Sequence, residues 1–333
     1  MSQTLLQGQA ESAEPESRDA DGRLLVRVLE VQREADGVVS IVLSSNDGSA
    51  LPAWSPGAHI DLILPDGLVR QYSLCGLPED RARWRIGVLL EPAGRGGSSY
   101  IHRHVRAGDA LQAAGPRNNF ALGDSEEYLF IAGGIGITPI LPMVRHVAAA
   151  RRRWKLLYGG RTRGSMAFLD ELSELHGDVQ ILPQDQHGHP DLLGFLGAYR
   201  PGVTVHCCGP GAMIDAVEAA CRTWPASALR RERFAASAKP LGEDDEAFEV
   251  ELARSGSRIK VPGDRGLLDV LEEAGCKIDN SCRAGICGTC VVRVLAGIPQ
   301  HNDDILDDEQ RASGTLILPC VSRCKSKLLV LDL

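Results

Sequence analysis

One ten-residue stretch, Ser281 to Cys290, constrains this chain more than any other: Ser-Cys-Arg-Ala-Gly-Ile-Cys-Gly-Thr-Cys. Cys282, Cys287 and Cys290 stand in the spacing C-x4-C-x2-C, and Cys320 follows downstream in Leu-Pro-Cys. This is the plant-type spacing for a [2Fe–2S] cluster. Each iron takes two thiolates; a loop of this length presents three, and a distant strand end supplies the fourth. Gly285 and Gly288 suit such a loop, because glycine adopts positive φ and lets backbone N–H groups approach the sulfides. The Cys287–Cys290 pair alone also admits zinc or a thioredoxin-like dithiol. Neither needs Cys282 and Cys320, and a zinc ribbon requires a second knuckle. A cluster moves one electron at a time, so the rest of the chain has to supply electrons.

At 333 residues the chain is too long for one such module, and two or three domains are expected. Of ten cysteines, the six outside the cluster set show no disulfide framework. They read as buried thiols in a reducing compartment, which points to the cytoplasm. No apolar run reaches membrane-spanning length. Residues 1–22 are polar and acidic, a disordered tail and not a signal peptide. The net charge of −8 argues against nucleic acid. Residues 241–333 carry 17 acidic and 11 basic side chains, so the acidity gathers around the cluster module. An acidic face built from Asp303, Asp304, Asp307, Asp308 and Glu309 would steer a basic redox partner, or simply confer solubility.

From Leu24 to about Leu122 the pattern is β, with short branched-rich runs at 24–31, 38–44, 59–64, 83–90 and 110–114. Gly and Pro turns punctuate them, which suggests an antiparallel barrel. One short helix is expected after Gly97. From about Glu127 strands and helices alternate: strands at 128–132, 154–158, 179–182 and 204–208, helices at 138–150, 167–175 and 212–222. Such alternation implies a parallel sheet flanked by helices. Residues 236–247 read as a linker. Strand pattern resumes at 248–252, and a helix at 266–274 precedes the cluster loop.

Four sites stand at strand ends and helix starts. Arg70-Gln71-Tyr72-Ser73-Leu74 combines a planar guanidinium suited to phosphate, a flat ring and a small hydroxyl; alone it equally describes a strand surface. Gly94-Arg95-Gly96-Gly97-Ser98-Ser99 exposes backbone N–H groups at a helix start, favourable for phosphate or simply a helix cap at Ser98. Gly133-Gly134-Ile135-Gly136-Ile137-Thr138-Pro139 lets backbone approach a pyrophosphate, with Pro139 in the first helical turn. Arg161, at the next strand end, is either an adenosine-side contact or a surface arginine. Cys207-Cys208-Gly209-Pro210 brings Cys208 to the same crevice, while Cys207 reads as a buried strand thiol.

Taken in order, these motifs resemble the phthalate dioxygenase reductase family, over about residues 23–333. Ala-Phe-Leu-Asp-Glu-Leu at 167–172 and Leu-Val-Leu-Asp-Leu at the end also fit. The resemblance implies an antiparallel FMN-binding barrel at 23–122 and a parallel-sheet nicotinamide domain at 123–235. A β-grasp ferredoxin domain at 248–333 completes it. Arg70, Tyr72, Ser73 and Leu74 are then expected to bind the flavin, Gly97, Ser98 and Ser99 its phosphate, and Val88 and Leu89 to line its ring. Relatives often carry a basic residue in place of Leu89. Gly133, Gly134, Gly136, Thr138, Pro139 and Arg161 would hold NADH, with Cys208 and Gly209 at the nicotinamide. Ser73 and Cys208 would flank the reacting atoms. The double glycine before Ser98 favours FMN over FAD, and Arg161 with Arg163 leaves NADPH open. The family's electron path runs from NADH through FMN and the cluster to a terminal oxygenase. A Rieske-type oxygenase or O-demethylase of a small aromatic or related compound is favoured. The alternatives are a haem-thiolate monooxygenase partner and a redox-sensing cluster protein, and the intact glycine motifs argue against the latter.

Overall fold

The computed structural model describes residues 17–19, 22–236 and 246–333. The expected tail at 1–22 and linker at 236–247 lie, but for 17–19, 22, 236, 246 and 247, outside the described residues.

Branched residues at alternate positions build the first sheet. Along Leu24–Ala35 the side chains of Leu24, Val26 and Val28 are buried while Arg27 and Leu29 face out, the period of two that a half-buried strand requires. Six antiparallel strands follow the order Val69–Ser73, His59–Ile63, Ala110–Arg117, Leu24–Ala35, Val38–Ser45 and Trp84–Leu89. A bridge between Leu74 and Ile86 joins the two outermost strands and closes the sheet into a barrel. Its core holds Trp84, Ile41, Leu43, Ile60, Leu62 and Ile101, the last from the helix Gly97–His104. Closure leaves no long exposed edge.

The second sheet is wholly parallel, in the order Leu229–Glu232, Val203–Cys208, Glu127–Gly133, Arg153–Gly160 and Asp178–Pro183. The helix Ile137–Ala149 buries Ile140, Leu141 and Val144 on one face of the sheet. Gly211–Ala220 buries Ile214 and Val217 on the other. Several elements differ from expectation, among them the unforeseen short helices Gln184–His187 and Leu192–Leu196. The helix expected over 167–175 is only Leu169–Ser173, because Phe168 takes a left-handed φ of 62° that seats its ring under the Arg85 guanidinium, 5.0 Å away. The strand Leu229–Glu232 was not foreseen. Its Leu-Arg-Arg-Glu has no apolar alternation, and only its pairing with Val205–Cys208 makes it a strand.

The third unit is a mixed sheet in the order Ser257–Val261, Phe248–Leu252, Leu328–Leu331, Val292–Ala296 and Leu316–Ile317. Phe248–Leu252 runs parallel to Leu328–Leu331. The helix Leu267–Glu273 packs Leu267, Val270 and Leu271 across this sheet. The cluster loop projects from this β-grasp unit between the helix and Val292–Ala296.

Barrel and nucleotide sheet are joined by an ionic contact. Glu171 sits between Arg85 of the barrel, at 2.8 Å, and Arg145 of the helix Ile137–Ala149. Burial costs each charge solvation, so the three-way arrangement matters: the two guanidiniums hold Glu171 ionised, its carboxyl below the usual range despite burial.

Candidate functional site

The four cluster cysteines converge two and two. Cys282 and Cys287 stand in hydrogen-bond contact, as do Cys290 and Cys320. The sulfur–sulfur hydrogen bond holds the Cys282 thiol above its ordinary range and draws Cys287 down to about 4. Among the described residues no three or more His, Cys, Asp or Glu side chains are gathered around a single-ion position. Two adjacent pairs are what a two-iron cluster requires, since each iron takes one pair. Gly285 and Gly288 have φ of 71° and 72°, and the Ala284 and Thr289 amides approach the sulfurs of Cys282 and Cys287 at 3.3 and 3.5 Å. The Thr289 hydroxyl is buried against the Cys287 sulfur, where its hydrogen bond also favours the thiolate. Cys324 lies apart from the four, its sulfur 3.1 Å from Ser326 Oγ, whereas Cys320 pairs with Cys290.

The barrel motif and the glycine turn meet. Arg70 reaches the carbonyl of Arg95 at 2.7 Å. A Cβ on Gly97 would lie 2.5 Å from Arg70 Cγ, so only glycine lets the turn come this close. Gly96, with φ of 86°, takes the N-cap position, not Ser98; the Ser98 hydroxyl accepts from the Glu91 amide at 3.0 Å. Ser99 is half-buried beside it. Leu74 and Val88 are wholly buried in the barrel core, and Leu89 packs against the nucleotide domain's core. Burial pushes the Tyr72 hydroxyl well above its ordinary range and keeps it neutral.

In the second sheet the glycines divide by role. A Cβ on Gly133 would strike Pro210, one on Gly136 would lie 2.2 Å from the Cys208 carbonyl, and one on Gly209 would strike Met213. These three let the ends of two strands and two helices pack together. Gly134, at φ 52°, has open space where its Cβ would be, a cradle open to a pyrophosphate. The Thr138 hydroxyl donates to the Ile135 carbonyl at 2.9 Å, closing the turn that Pro139 follows. Arg161 is exposed past the end of Arg153–Gly160.

Sequence reasoning missed Glu232. The parallel register sets it directly beside Cys208. Its carboxylate meets the Ser73 hydroxyl of the barrel in a hydrogen bond, and its Oε2 is shielded from solvent without a partner. The residue as a whole is only half-buried, but the carboxylate is the part that titrates. Burial pushes that carboxyl up to about 8, with the Ser73 bond acting against it. Burial, and next the neighbouring Glu232, push the Cys208 thiol up, so it is neutral. Ser73, Cys208 and Glu232 thus form one uncharged group where barrel meets sheet. His59, on the barrel strand beside Ser73, is also neutral, its ring pushed down to about 4 by burial.

The cluster loop reaches the same junction. One crevice is lined by Asn119, Glu232, Arg233, Ile286 and Asp304, drawn from all three units. The five acidic residues expected to form a docking face therefore divide. The Asp303 side chain is buried, accepting from the Ile305 and Leu306 amides at 3.0 and 2.7 Å. Asp304 faces Arg233 at 3.8 Å, inside the molecule. Asp307 caps the helix Asp308–Ser313. Only Asp307, Asp308 and Glu309 are exposed.

A flavin-type barrel, a dinucleotide-binding parallel sheet and a plant-type cluster module sharing one junction define an electron-transferring oxidoreductase. Residues 130–219 match the oxidoreductase NAD-binding domain and residues 250–325 the 2Fe-2S iron-sulfur cluster binding domain. The chain is 40% identical to phenoxybenzoate dioxygenase subunit beta of Ectopseudomonas oleovorans, over 92% of this chain and 97% of that protein. To the phthalate dioxygenase reductase of Burkholderia cepacia it is 36% identical, over 94% and 98%. A solved phthalate dioxygenase reductase, described as a modular structure for electron transfer from pyridine nucleotides to [2Fe–2S], matches with a TM-score of 0.68 at 36% identity, covering 94% of this chain and 98% of that one. An intact type IV self-sufficient cytochrome P450 monooxygenase matches with a TM-score of 0.89 at 37% identity over 94% of this chain, which spans 41% of that longer chain. The chain belongs to the phthalate dioxygenase reductase family, the reductase components of oxygenase systems. The family's groups are FMN, NADH and a [2Fe–2S] cluster. The paired sulfurs, the open cradle at Gly134 and the orphaned Glu232 oxygen fit them.

Proposed function

We propose that the chain oxidises NADH at the junction of barrel and parallel sheet and delivers the electrons singly to a Rieske-type terminal oxygenase or O-demethylase acting on a small aromatic or related compound. The carrying observation is the convergence of Ser73, Cys208 with Glu232, and the cluster loop on one junction. When bound, FMN supplies the exchange between hydride transfer and single-electron transfer, and the cluster the outward relay. The protein's residues bind, orient and exclude water. Arg70 with Gly97, Ser98 and Ser99 holds the flavin phosphate. Tyr72, Ser73 and Leu89 face the ring, while Leu74 and Val88, wholly buried, support the strands behind it. Gly134 and Arg161 contact the dinucleotide, while Gly133, Gly136, Thr138 and Pro139 shape the turn that holds it. Cys208 and Gly209 set the nicotinamide against the ring, and Glu232 keeps the Ser73 hydroxyl oriented. Cys282, Cys287, Cys290 and Cys320 ligate the cluster. The module boundaries are 23–122, 123–235 and 248–333, with a tail and a linker outside them.

The aromatic reading rests on relatives named for phenoxybenzoate, vanillate and phthalate. A haem-thiolate partner is the second reading, supported by the likeness to the self-sufficient P450. Reducing compartments suit the cysteine set, so the proposed location is the cytoplasm. Among the described residues no helix is long and apolar enough to cross a membrane. The test is NADH-driven turnover with purified terminal components of each type. Vanillate or phthalate conversion with a Rieske partner supports the first reading. Efficient coupling to a haem-thiolate partner alone overturns it in favour of the second.

A further inference from the structure

The connector between barrel and nucleotide sheet, Asn118-Asn119-Phe120, carries a side chain not yet assigned a role. Asn119 donates from Nδ2 to the backbone carbonyl of Cys287 at 2.8 Å. Its own base is fixed on both sides. Asn118 Nδ2 donates to Ser55 Oγ at 2.8 Å and to the Pro56 carbonyl at 3.0 Å, and Phe120 is buried in the core of the nucleotide domain. The cluster loop comes close because Gly288 has no side chain: a Cβ there would lie 3.2 Å from Asn119 Nδ2.

A second contact holds the other end of the loop. Gln71 Nε2 donates to Ser281 Oγ at 3.1 Å, next to Cys282. Gln71 is held in turn by Asp61 Oδ1 at 3.1 Å, and that nearly buried carboxylate is paired to Arg117 at 2.6 Å. Arg117 and Asn119 are almost adjacent in the chain, so both grips trace back to one edge of the barrel. Together they bracket Cys282–Cys287, the pair assigned to one iron. Each contact joins the barrel side of the molecule to the cluster loop.

We propose that Asn119 is a positioning residue for electron passage from flavin to cluster, with Gln71 as its second anchor. This rests on the flavin reading of the barrel. With the cofactors bound, the two electrons of each NADH would cross this contact singly, the cluster passing the first to the terminal oxygenase before taking the second; the proton left by the hydride would go to solvent. No covalent bond forms between the modules. A hydrogen bond of this kind stabilises the docked loop only modestly, by about 0.5–1.5 kcal/mol. Its larger effect is geometric, because transfer between fixed centres depends steeply on their separation and a firmly supported contact limits the spread.

The test uses the complete holoprotein, with Asn119→Ala and, separately, Gln71→Ala. Flavin bleaching by NADH and cluster reduction are followed in the same stopped-flow trace. Amide hydrogen exchange over residues 282–290 is measured in the oxidised protein without NADH. For Asn119→Ala, flavin bleaching is expected to stay within about twofold of wild type, with an unchanged cluster spectrum. Cluster reduction is expected to slow on the order of tenfold to 100-fold, the range that a misplacement of about 1 Å produces, and loop exchange to rise. Gln71→Ala is expected to move both readouts in the same direction by less. Cluster reduction within about twofold of wild type overturns the proposal. Should Asn119→Ala fail to retain its cluster, Gln71→Ala decides by the same criteria. If NADH bleaches no flavin even in the wild type, the flavin reading falls, and hydrogen exchange alone still decides whether Asn119 holds the loop.

Discussion

Replacing Glu232 by Gln tests the uncharged junction directly. The substitution keeps size and hydrogen-bonding capacity and removes the titration. The folded carboxyl sits at about 8 and the unfolded one near 4.5, and burial is the main cause. The folded value is the higher, so below about pH 4.5 both states are protonated and the group has no effect on stability. Between pH 4.5 and 8 the unfolded state loses its proton while the folded state keeps it, and stability falls as pH rises. Above 8 both are ionised and the loss is complete. At about 1.4 kcal/mol per pH unit, the full effect is on the order of 5 kcal/mol at most. The assay is urea unfolding of wild type and variant at intervals from pH 5 to 9. Wild type should lose stability relative to Glu232→Gln across this range, with the difference levelling off near pH 8. In stopped flow, flavin bleaching of the wild type should show an inflection near pH 8 that the variant lacks. Parallel stability curves for the two proteins would refute the reasoning, because the carboxylate would then be solvated in the folded state.

Cys320→Ser should abolish the cluster while NADH still bleaches the flavin, and Cys324→Ser should leave the cluster's visible spectrum intact; the reverse pattern would reassign the fourth ligand. Gly136→Ala places a Cβ where the Cys208 carbonyl stands at 2.2 Å, so the strand end has to move by roughly 1 Å, and flavin reduction at saturating NADH should fall on the order of 100-fold. An unchanged limiting rate would show that the turn adapts without moving Cys208. Delivery to the oxygenase should weaken as salt rises and the Debye length shortens to about 8 Å, while flavin bleaching changes little. Converting Asp307, Asp308 and Glu309 to amides should flatten that profile, and an unaltered one would leave them as solvated surface.

The resemblance drawn from the order of motifs is confirmed by relatives that match along nearly the whole chain. The parts legible in the primary structure share one property: they depend on covalent neighbours. Cluster spacing is a matter of loop length, the glycine turns of backbone torsion, and the strand pattern of alternation along one segment. All of these survive without knowledge of the fold. Glu232 was invisible because its meaning comes from a cross-strand partner: Leu-Arg-Arg-Glu is an unremarkable charged segment until the parallel register sets it beside Cys208 and under Ser73. Asn119 is likewise an ordinary connector residue until the cluster loop lands on it from 168 positions away. Asp303 shows the opposite error, since a run of acidic residues reads as surface, yet this one is turned inward to satisfy the Ile305 and Leu306 amides. Local sequence carries torsion, period and ligand count. Which side chains lose their water and which distant groups they meet is decided only when the three modules pack together.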